Sequence, residues 1–399
     1  MTTIRSLARQ NRRQTLRRQG AALVATAALV GTLGACAQDT VQADSSGTAE
    51  DSASGIEKAE EAVASWSGPV TDYPEEPALS ATPDMEGKKI TVIPLGDNIP
   101  VIHGVAVGIQ DAMEAVGATT TICDGKFTPT AVADCLKQAG DQGADAVVSL
   151  FIDYAMAGTA FDALAEQGVP VLVGGVEPTG GRESDETLAF YDNTGRVGQL
   201  YDAMSMSALA QGGEDTNVLW LRLMDSTTTR DASDQGVATF KELCPTCGVA
   251  TADFTTANLD KLPSAVSAAM VANPETNAMI VPVDSFVPPA MQGLQSSGKA
   301  DQVKVFSSSS DLAGLQRVRD GQQASDLGTP VIYEGWKYAN GLMQLLAGDE
   351  VQPADAMVTR DFTAENVGDL ELTDDAYFTP DWFGDDRFKD LFLQAWGVS

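Results

Sequence analysis

The sequence is poor in the residues that many catalytic and nucleic-acid-binding sites require. Among 399 residues there is one histidine, and 25 Lys and Arg stand against 56 Asp and Glu, for a net charge of −31. One histidine excludes a metal centre built from several histidines and makes a Ser-His-Asp site a poor hypothesis. Because phosphate groups are bound by clustered Lys and Arg, we predict no nucleic-acid partner. We also predict no cofactor and no metal ion.

What the sequence does contain begins with an export signal. Residues 1–35 carry six arginines and no acidic residue, and the uncharged run 20–35 has the length of a signal-peptide core rather than of a membrane span. The run ends in Leu33-Gly34-Ala35-Cys36, which resembles a bacterial lipobox. We predict a signal peptide over 1–35 and a lipid on Cys36, at the extracytoplasmic face of a Gram-positive cell membrane. An ordinary signal peptide, or twin-arginine export through Arg12-Arg13, is the alternative.

Residues 36–87 are predicted to form a flexible tether and a proline-rich lead-in. Small and polar residues dominate 37–55, which has no apolar periodicity. The stretch 56–66 has the pattern of a short helix, and four prolines between 69 and 83 interrupt regular structure. The folded body is therefore expected to begin at Lys88.

The remaining four cysteines form two close pairs. Cys123 and Cys135 bracket a loop, and Cys244 and Cys247 form a CxxC motif. In an exported protein an even set favours disulfide bonds, so we predict that each pair is bonded. Cys135 also fits the apolar face of a helix as a buried thiol. The CxxC pair has two other interpretations, a redox pair or half of a zinc site, although no second CxxC accompanies it.

From Lys89 onward, short β-branched runs alternate with helical patterns. The predicted strands are 90–95, 119–123, 146–151 and 169–173 in a first series, and 217–223, 249–254, 278–283 and 303–307 in a second. Strands that are apolar throughout belong to parallel sheets covered on both faces. Two such series predict an α/β protein with two doubly wound parallel-sheet lobes.

Polar residues follow several predicted strands at their carboxyl ends, where ligands bind in sheets of this kind. The candidate ligand-binding residues are Asp97, Asn98, Asp153 and Tyr154 in the first lobe, and Arg230, Asp284, Ser309 and Asp311 in the second. Carboxylates accept hydrogen bonds from a polyol, and an arginine donates to ring oxygens or to a carboxylate. If the two sets face each other, they line one cleft. The alternative for each carboxylate is an ordinary surface position.

Several short motifs follow one another in a fixed order over about 88–346. They are KITVIPL from Lys89 followed by Asp97-Asn98, GADAVVSL from Gly143, GVPVLV from Gly168, Tyr191-Asp192-Asn193, NPETNAMI from Asn273 and Gly328-Thr329-Pro330. Their order and spacing resemble the type I periplasmic binding proteins, the ribose-binding branch of the substrate-binding lipoproteins of ABC transporters.

The resemblance implies two lobes joined by a three-segment hinge, with a ligand trapped when the hinge closes. The lobes would be 88–192 with 330–354, and 193–329 with 355–399, and the crossings would lie near 192–193, 328–330 and 352–355. It also implies a lipid-anchored protein, not an enzyme, that delivers a small sugar or sugar-like ligand to an ABC permease. The alternatives are a sensory receptor that signals to a membrane partner and a hydrolase on the same fold.

Overall fold

The computed structural model describes residues 47–353 and 356–398. These residues belong to one compact unit of the chain. The signal peptide predicted over 1–35 and the lipid predicted on Cys36 lie outside the described residues. Within the described ranges, no helix combines the length and the apolar composition that a membrane crossing requires.

The first sheet consists of parallel strands. They are β1 (Lys89–Pro94), β2 (Thr119–Ile122), β3 (Ala146–Leu150), β4 (Val171–Gly174) and β5 (Leu188–Tyr191). Their order across the sheet is β2-β1-β3-β4-β5, and every neighbouring pair is parallel. Strands β3 and β4 are buried at each residue, which explains why their sequences are apolar throughout.

The second sheet has an antiparallel edge. Its strands are β6 (Asn217–Leu223), β7 (Gly248–Phe254), β8 (Ala278–Val281), β9 (Lys304–Ser308), β10 (Ser325–Gly328) and β11 (Arg360–Thr363). The order is β11-β10-β9-β8-β6-β7, and β11 runs antiparallel to β10 while the other neighbours are parallel. The two sheets confirm the prediction of two α/β lobes with parallel sheets.

Helices cover the sheets. The α-helices are α1 (Ala49–Trp66), α2 (Pro100–Ala115), α3 (Pro129–Asp141), α4 (Tyr154–Ala165), α5 (Thr194–Gly212), α6 (Thr227–Leu243), α7 (Leu262–Ala272), α8 (Val287–Ser297), α9 (Leu312–Arg319), α10 (Val331–Ala347), α11 (Asp374–Tyr377) and α12 (Phe388–Ala395). Short 3-10 helices occupy Gly213–Asp215, Thr256–Lys261, Asp284–Phe286 and Ala300–Gln302. Helices α2 and α10 pack together on the first lobe, and α5 and α6 pack together on the second.

Between β5 and β11 the chain passes from one lobe to the other three times. The passages lie between β5 and α5, between β10 and α10, and between α10 and β11. A buried ion pair joins Arg196 Nε to Glu334 Oε2 at 3.2 Å, and Asn193 Nδ2 donates to Tyr338 Oη at 3.1 Å. Because Arg196 lies in α5 and Glu334 in α10, these contacts tie the first two passages together.

The tether prediction is wrong for residues 49–55, which form one helix, α1 (Ala49–Trp66), with the helix predicted over 56–66. Helix α1 begins after Thr48, which forms a reciprocal capping box with Asp51, and it packs against α5 and α6. A Cβ added at Gly55 would lie 1.9 Å from the carbonyl oxygen of Leu243. The small residues of α1 allow its backbone to approach that of α6 closely. Because few of these residues are large and apolar, the segment shows little apolar periodicity, and its composition indicated a tether.

The proline-rich lead-in is packed as well, and the folded body begins before Lys88. Tyr73 is buried against Tyr333 of α10, with ring centroids 5.0 Å apart. Glu76 forms a largely buried ion pair with Lys337, also of α10, at 2.8 Å. Since α1 lies on the second lobe and these residues contact the first, the lead-in adds a passage between the lobes.

The C-terminal residues do not all belong to the second lobe, contrary to the predicted boundary of 355–399. Strand β11 joins the second sheet, but α12 packs against α10 of the first lobe. The rings of Trp336 and Trp396 stack with centroids 5.4 Å apart, and Trp396 Nε1 donates to Asn340 Oδ1 at 2.7 Å. In addition to the three crossings implied by the resemblance, the chain therefore crosses between the lobes twice more, once before β1 and once after β11.

Candidate functional site

Loops from both lobes and from the C-terminal segment line one cavity of about 380 Å³. Its polar and aromatic wall is formed by Asp97, Asn98 and His103 of the first lobe, Asp311 and Gln316 of the second, and Asp374, Tyr377 and Phe378 of the C-terminal segment. We call this cavity the covered part of the cleft. The strand-end rule found Asp97, Asn98 and Asp311. It did not find the three C-terminal residues, because they follow no strand of the alternating pattern.

Asp97 and His103 form a pair on the first-lobe wall of the covered part. The Nδ1 atom of His103, in α2, lies 2.8 Å from Asp97 Oδ1, and the backbone N–H of Asp97 donates to Asp124 Oδ1 at 3.0 Å. The ring of Phe378 meets the imidazole edge to face at 5.6 Å. The C-terminal segment therefore contacts the first part of α2.

Asp153 and Arg230, which we call the open part of the cleft, place opposite charges on different lobes. Asp153 follows β3 at the N-cap of α4 but makes no capping hydrogen bond. Burial raises the pKa of Asp153, the positive charge of Arg230 lowers it, and Glu177 raises it. Its Oδ1 atom is buried without a hydrogen-bond partner among the described residues. A buried acceptor of this kind is costly unless a ligand satisfies it.

Arg230 remains accessible to a ligand. It lies in the first part of α6, its side chain is 42% exposed, and its Nε is 3.7 Å from Asp231 Oδ1. This distance is too long for a hydrogen bond, so the contact with Asp231 leaves the donors of the guanidinium largely free. The charge of Arg230 nevertheless reaches Asp153 on the other lobe. Asp97 and Asp311 follow strands of different lobes and line one cavity, so the strand ends of the two lobes face each other.

Tyr154 is not a cleft residue, contrary to its prediction as a ligand contact. Its side chain lies in the core of the first lobe, stacked on Phe161 with centroids 5.9 Å apart. Its hydroxyl donates to Asp162 Oδ2 at 2.6 Å. Burial, followed by that hydrogen bond, raises the pKa of Tyr154 to about 12. Tyr154 does follow β3, but as the first residue of α4 it places its ring in the core of the first lobe.

Asp284 is buried and ties loops of the second lobe together, so its prediction as a ligand contact is also wrong. Its carboxylate accepts hydrogen bonds from the hydroxyl of Ser307 and from the backbone N–H of Asp311 at 2.9 Å. Arg317 Nη2 lies 3.3 Å from Asp284 Oδ1. Because these partners already bind the Asp284 carboxylate, it holds the loops of the second lobe together and does not contact the ligand.

Asp326, within β10, is a buried carboxylate that the sequence analysis missed. Its Oδ1 accepts the backbone N–H of Ser310 at 3.0 Å. A Cβ at Gly314 would lie 2.3 Å from both Asp326 Oδ2 and Asp284 Oδ2, so the two carboxylates converge on this glycine. Burial, and next the charge of Asp284, raise the pKa of Asp326 well above its usual value. A charged residue inside a short buried strand was the available signal.

Asp311 lies between these buried carboxylates and the covered part of the cleft. Its Oδ1 caps α9 by accepting the Gly314 N–H at 2.7 Å. Burial, and then the charge of Asp284, raise the pKa of Asp311 to about 7. Ser309, two residues earlier, is buried at φ 106°, a conformation that residues with a side chain rarely adopt. Ser309 shapes the loop that presents Asp311 and is not part of the cavity wall.

The two cysteine pairs are disulfide bonds in the structure. Cys123 is joined to Cys135, and Cys244 is joined to Cys247. In the described part of the chain, no group of three His, Cys, Asp or Glu side chains is arranged to hold a metal ion.

Two α/β lobes whose strand ends face each other across a cleft define a two-lobed ligand-binding protein. Residues 90–350 match the family described as the periplasmic binding protein domain. This is more than half of the chain, and the chain belongs to that family. The residues before 90 and after 350, which include α1, α11 and α12, lie outside the match. A comparison with curated proteins finds no match.

Solved structures share the fold at low sequence identity. An ABC transporter solute binding protein from Agrobacterium vitis with bound allitol is 17% identical, and the match covers 71% of this chain and 97% of that one with a TM-score of 0.58. A 5-methylthioribose transporter solute binding protein from Thermotoga lettingae is 16% identical, with 79% and 99% covered and a TM-score of 0.61. An arabinose binding protein from Geobacillus stearothermophilus is 14% identical, with 70% and 98% covered and a TM-score of 0.60.

Proposed function

We propose that this protein is the substrate-binding component of an ABC importer, which traps a small polar ligand between its lobes and delivers it to a membrane permease. The observation that carries the proposal is the open part of the cleft, where Arg230 acts on Asp153 across the two lobes and Asp153 Oδ1 lacks a partner. We propose that Asp97, Asn98 and Asp311 contact the ligand as well. The solved relatives hold allitol and 5-methylthioribose, which supports a sugar-like ligand.

A screen for stabilising ligands tests this function. A compound that binds only the folded protein raises the free energy of unfolding by about 2.7 kcal/mol at a hundredfold excess over Kd. We expect at least one sugar or polyol to raise the melting temperature and to reduce the radius of gyration as the lobes close. Turnover of a compound, without stabilisation by any, would contradict trapping and indicate an enzyme.

Export and anchoring form the second half of the proposal. Residues 1–35 would direct export, and Cys36 would carry a lipid that holds the protein at the extracytoplasmic face of the membrane. The bonded pairs Cys123–Cys135 and Cys244–Cys247 are consistent with an oxidising compartment. A Cys36→Ala variant should appear in the culture medium, while the unchanged protein stays in the membrane fraction. A variant retained in the membrane would contradict the lipid anchor.

A further inference from the structure

The wall of the covered part carries acidic groups from three portions of the chain. Asp97 belongs to the first lobe, Asp311 to the second and Asp374 to the C-terminal segment. Among the described residues that line the cavity, His103 is the single basic side chain, and it is 2.8 Å from Asp97. The wall therefore has more negative than positive groups, whichever form the imidazole takes.

Further carboxylates lie behind Asp311. Asp284 and Asp326 are buried there, and Arg317 Nη2 is 3.3 Å from Asp284 Oδ1. Burial and the charge of Asp284 raise the pKa of Asp326 and favour its neutral form, and Arg317 offsets the charge of Asp284. The excess negative charge at the cavity is therefore that of Asp97, Asp374 and the ionised form of Asp311, against His103. Charges interact more strongly in a buried environment than in water, so this excess disfavours anions and favours a cation.

The hydroxyl of Tyr377 is a second polar feature of this cavity. Tyr377 lines the cavity and is 5% exposed, and its Oη has no hydrogen-bond partner among the described residues. Burial, followed by the charges of Asp311, Asp284 and Asp326, raises its pKa, so this hydroxyl lies within reach of their field. An unpaired buried hydroxyl is costly, and its oxygen is able to accept an N–H from a ligand.

Aromatic rings complete the cavity wall. Phe378 lies next to Tyr377, with ring centroids 5.1 Å apart, and both line the cavity. The face of an aromatic ring attracts a cation within about 6 Å. Carboxylates, an unpaired hydroxyl oxygen and aromatic rings together form the chemistry that recognises an ammonium group.

We propose that the covered part of the cleft selects an amine-bearing polar ligand, such as an amino sugar, by binding its protonated amine beside Asp311, Asp374 and Tyr377. The inference rests on the proposed function, because it requires that the cleft traps a ligand. Beyond that function, the inference specifies that the ligand carries a positive charge and names the residues that bind this charge. Asp374 and Tyr377 lie outside the family match to 90–350, so the selectivity comes partly from the C-terminal segment.

The experiment compares ligands that differ only in the amine. Titration calorimetry of the purified protein would use D-glucosamine with D-glucose and D-galactosamine with D-galactose, together with N-acetyl-D-glucosamine and D-glucuronate. We expect the amine of at least one pair to bind about 10-fold or more tightly than its hydroxyl counterpart, a difference of roughly 1.4 kcal/mol. The neutral amide and the anion should bind no better than glucose.

Variants locate the amine. Asp374→Asn should reduce the preference for the amine several-fold without changing the affinity for the hydroxyl counterpart. Asp375→Asn is the matched control, because Asp375 lies in the same short helix and is exposed but does not line the cavity. The melting temperatures of both variants without ligand should equal that of the unchanged protein, which separates lost recognition from lost folding.

Proton release gives an independent readout. The titratable and charged groups that surround Asp311 are Asp97, His103, Asp374 and Tyr377 at the cavity and Asp284, Asp326 and Arg317 behind it. A bound ammonium stabilises the charged form of Asp311, so binding near pH 7 should release protons. The measured binding enthalpy should then differ between phosphate and HEPES buffers for the amine, and less for its hydroxyl counterpart.

Each outcome decides between the proposals. Equal binding of amine and hydroxyl counterparts, or binding of the hydroxyl compounds alone, overturns this inference and leaves the proposed function standing. An amine preference that is unchanged in Asp374→Asn overturns the assigned position. Failure of every compound in the panel and in the wider ligand screen overturns both.

Discussion

The two parts of the cleft are built from different portions of the chain. Asp153 and Arg230, the open part, each follow a strand and lie within the family match to 90–350. The covered part combines strand-end residues such as Asp97 and Asp311 with Tyr377 and its neighbours, which lie beyond that match. The family match therefore contains the open part, whereas the covered part also depends on a segment outside that match.

The electrostatics of the two parts differ in the same way. In the open part, a negative and a positive side chain lie on different lobes. The charge of Arg230 lowers the pKa of Asp153 and so counteracts part of the increase that burial causes. In the covered part, like charges accumulate, and burial together with Asp284 raises the pKa of Asp311 to about 7. The open part is suited to hold the lobes around a ligand, and the covered part to choose the ligand by charge.

The largest expected effect concerns the anchor of the covered part. Phe388 of α12 is fully buried, and its ring centroid is 5.1 Å from that of Tyr73, 5.4 Å from that of Tyr333 and 6.1 Å from that of Trp336. Phe388→Ala should lower the free energy of unfolding by about 3–5 kcal/mol, because it leaves a cavity among these rings. Denaturant unfolding measures the change.

The control for this prediction lies on the same helix. Gln394 is exposed, so Gln394→Ala should leave the free energy of unfolding within about 0.5 kcal/mol of its original value. A similarly small change for Phe388→Ala would contradict the packing of the C-terminal segment on the first lobe, and with it the distinction between the two parts of the cleft.

The second prediction concerns the open part. Asp153→Asn should weaken the ligand found in the screen by about 10-fold or more, because it removes a charged acceptor that faces Arg230. Burial raises the pKa of Asp153, so its charge opposes folding at neutral pH, and the unliganded variant should melt at the same temperature or higher. Calorimetry and thermal unfolding measure the two effects.

Glu166, exposed at the end of α4, offers the matched control for Asp153. Glu166→Gln should change neither binding nor melting. If Asp153→Asn lowers the melting temperature and leaves affinity unchanged, Asp153 is a structural residue and the open part loses its assigned role.

The sequence selects the residues of the open part because their positions depend on the strands that precede them in the chain. Apolar strands such as β3 specify a buried parallel sheet, and the residue that follows each strand must lie at the edge where the lobes meet. That rule selected Asp153 and Arg230, whose role as ligand contacts stays a prediction. It failed for Tyr154 and Asp284, since a position after a strand does not determine whether the side chain turns toward the cleft or into the core.

The sequence does not predict the C-terminal wall of the covered part, because that wall depends on packing between residues distant along the chain. The aromatic residues of the C-terminal segment, such as Trp396, indicate burial but not which lobe receives them. The first part of helix α1, residues 49–55, was missed for a related reason, since Gly55 and its small neighbours pack by close backbone approach. Asp326 was missed because β10, the strand that contains it, was not among the predicted strands.

The third prediction concerns pH and belongs to the covered part. Folding raises the pKa of Asp311 from an ordinary value near 3.8 to about 7, so the folded state binds a proton that the unfolded state has lost. The stability contributed by that proton is therefore present at acidic pH and decreases as the pH rises through about 7. The melting temperature should fall between pH 5 and pH 8, and Asp311→Asn should reduce the fall.

Asp320 tests whether this effect belongs to Asp311. It is exposed at the other end of α9, so Asp320→Asn should keep the pH dependence of the unchanged protein. An identical pH dependence in the Asp311→Asn variant would show that the buried carboxyl groups of the covered part are not coupled to folding as the geometry indicates.

The smallest expected effect concerns the helix that presents Tyr377. The hydroxyl of Thr373 caps α11 by accepting the N–H of Ala376 at 3.2 Å. Thr373→Ala should cost about 0.5–1 kcal/mol, and Thr373→Ser, which keeps the acceptor, should cost less. In hydrogen exchange, the amides of residues 374–378 should exchange faster in Thr373→Ala than in the unchanged protein. The exchange rates of the α4 amides beside Asp153 should not change, because α11 borders the covered part and not the open part. Equal acceleration in both places would mean that the two parts of the cleft open together and do not differ in how they are held.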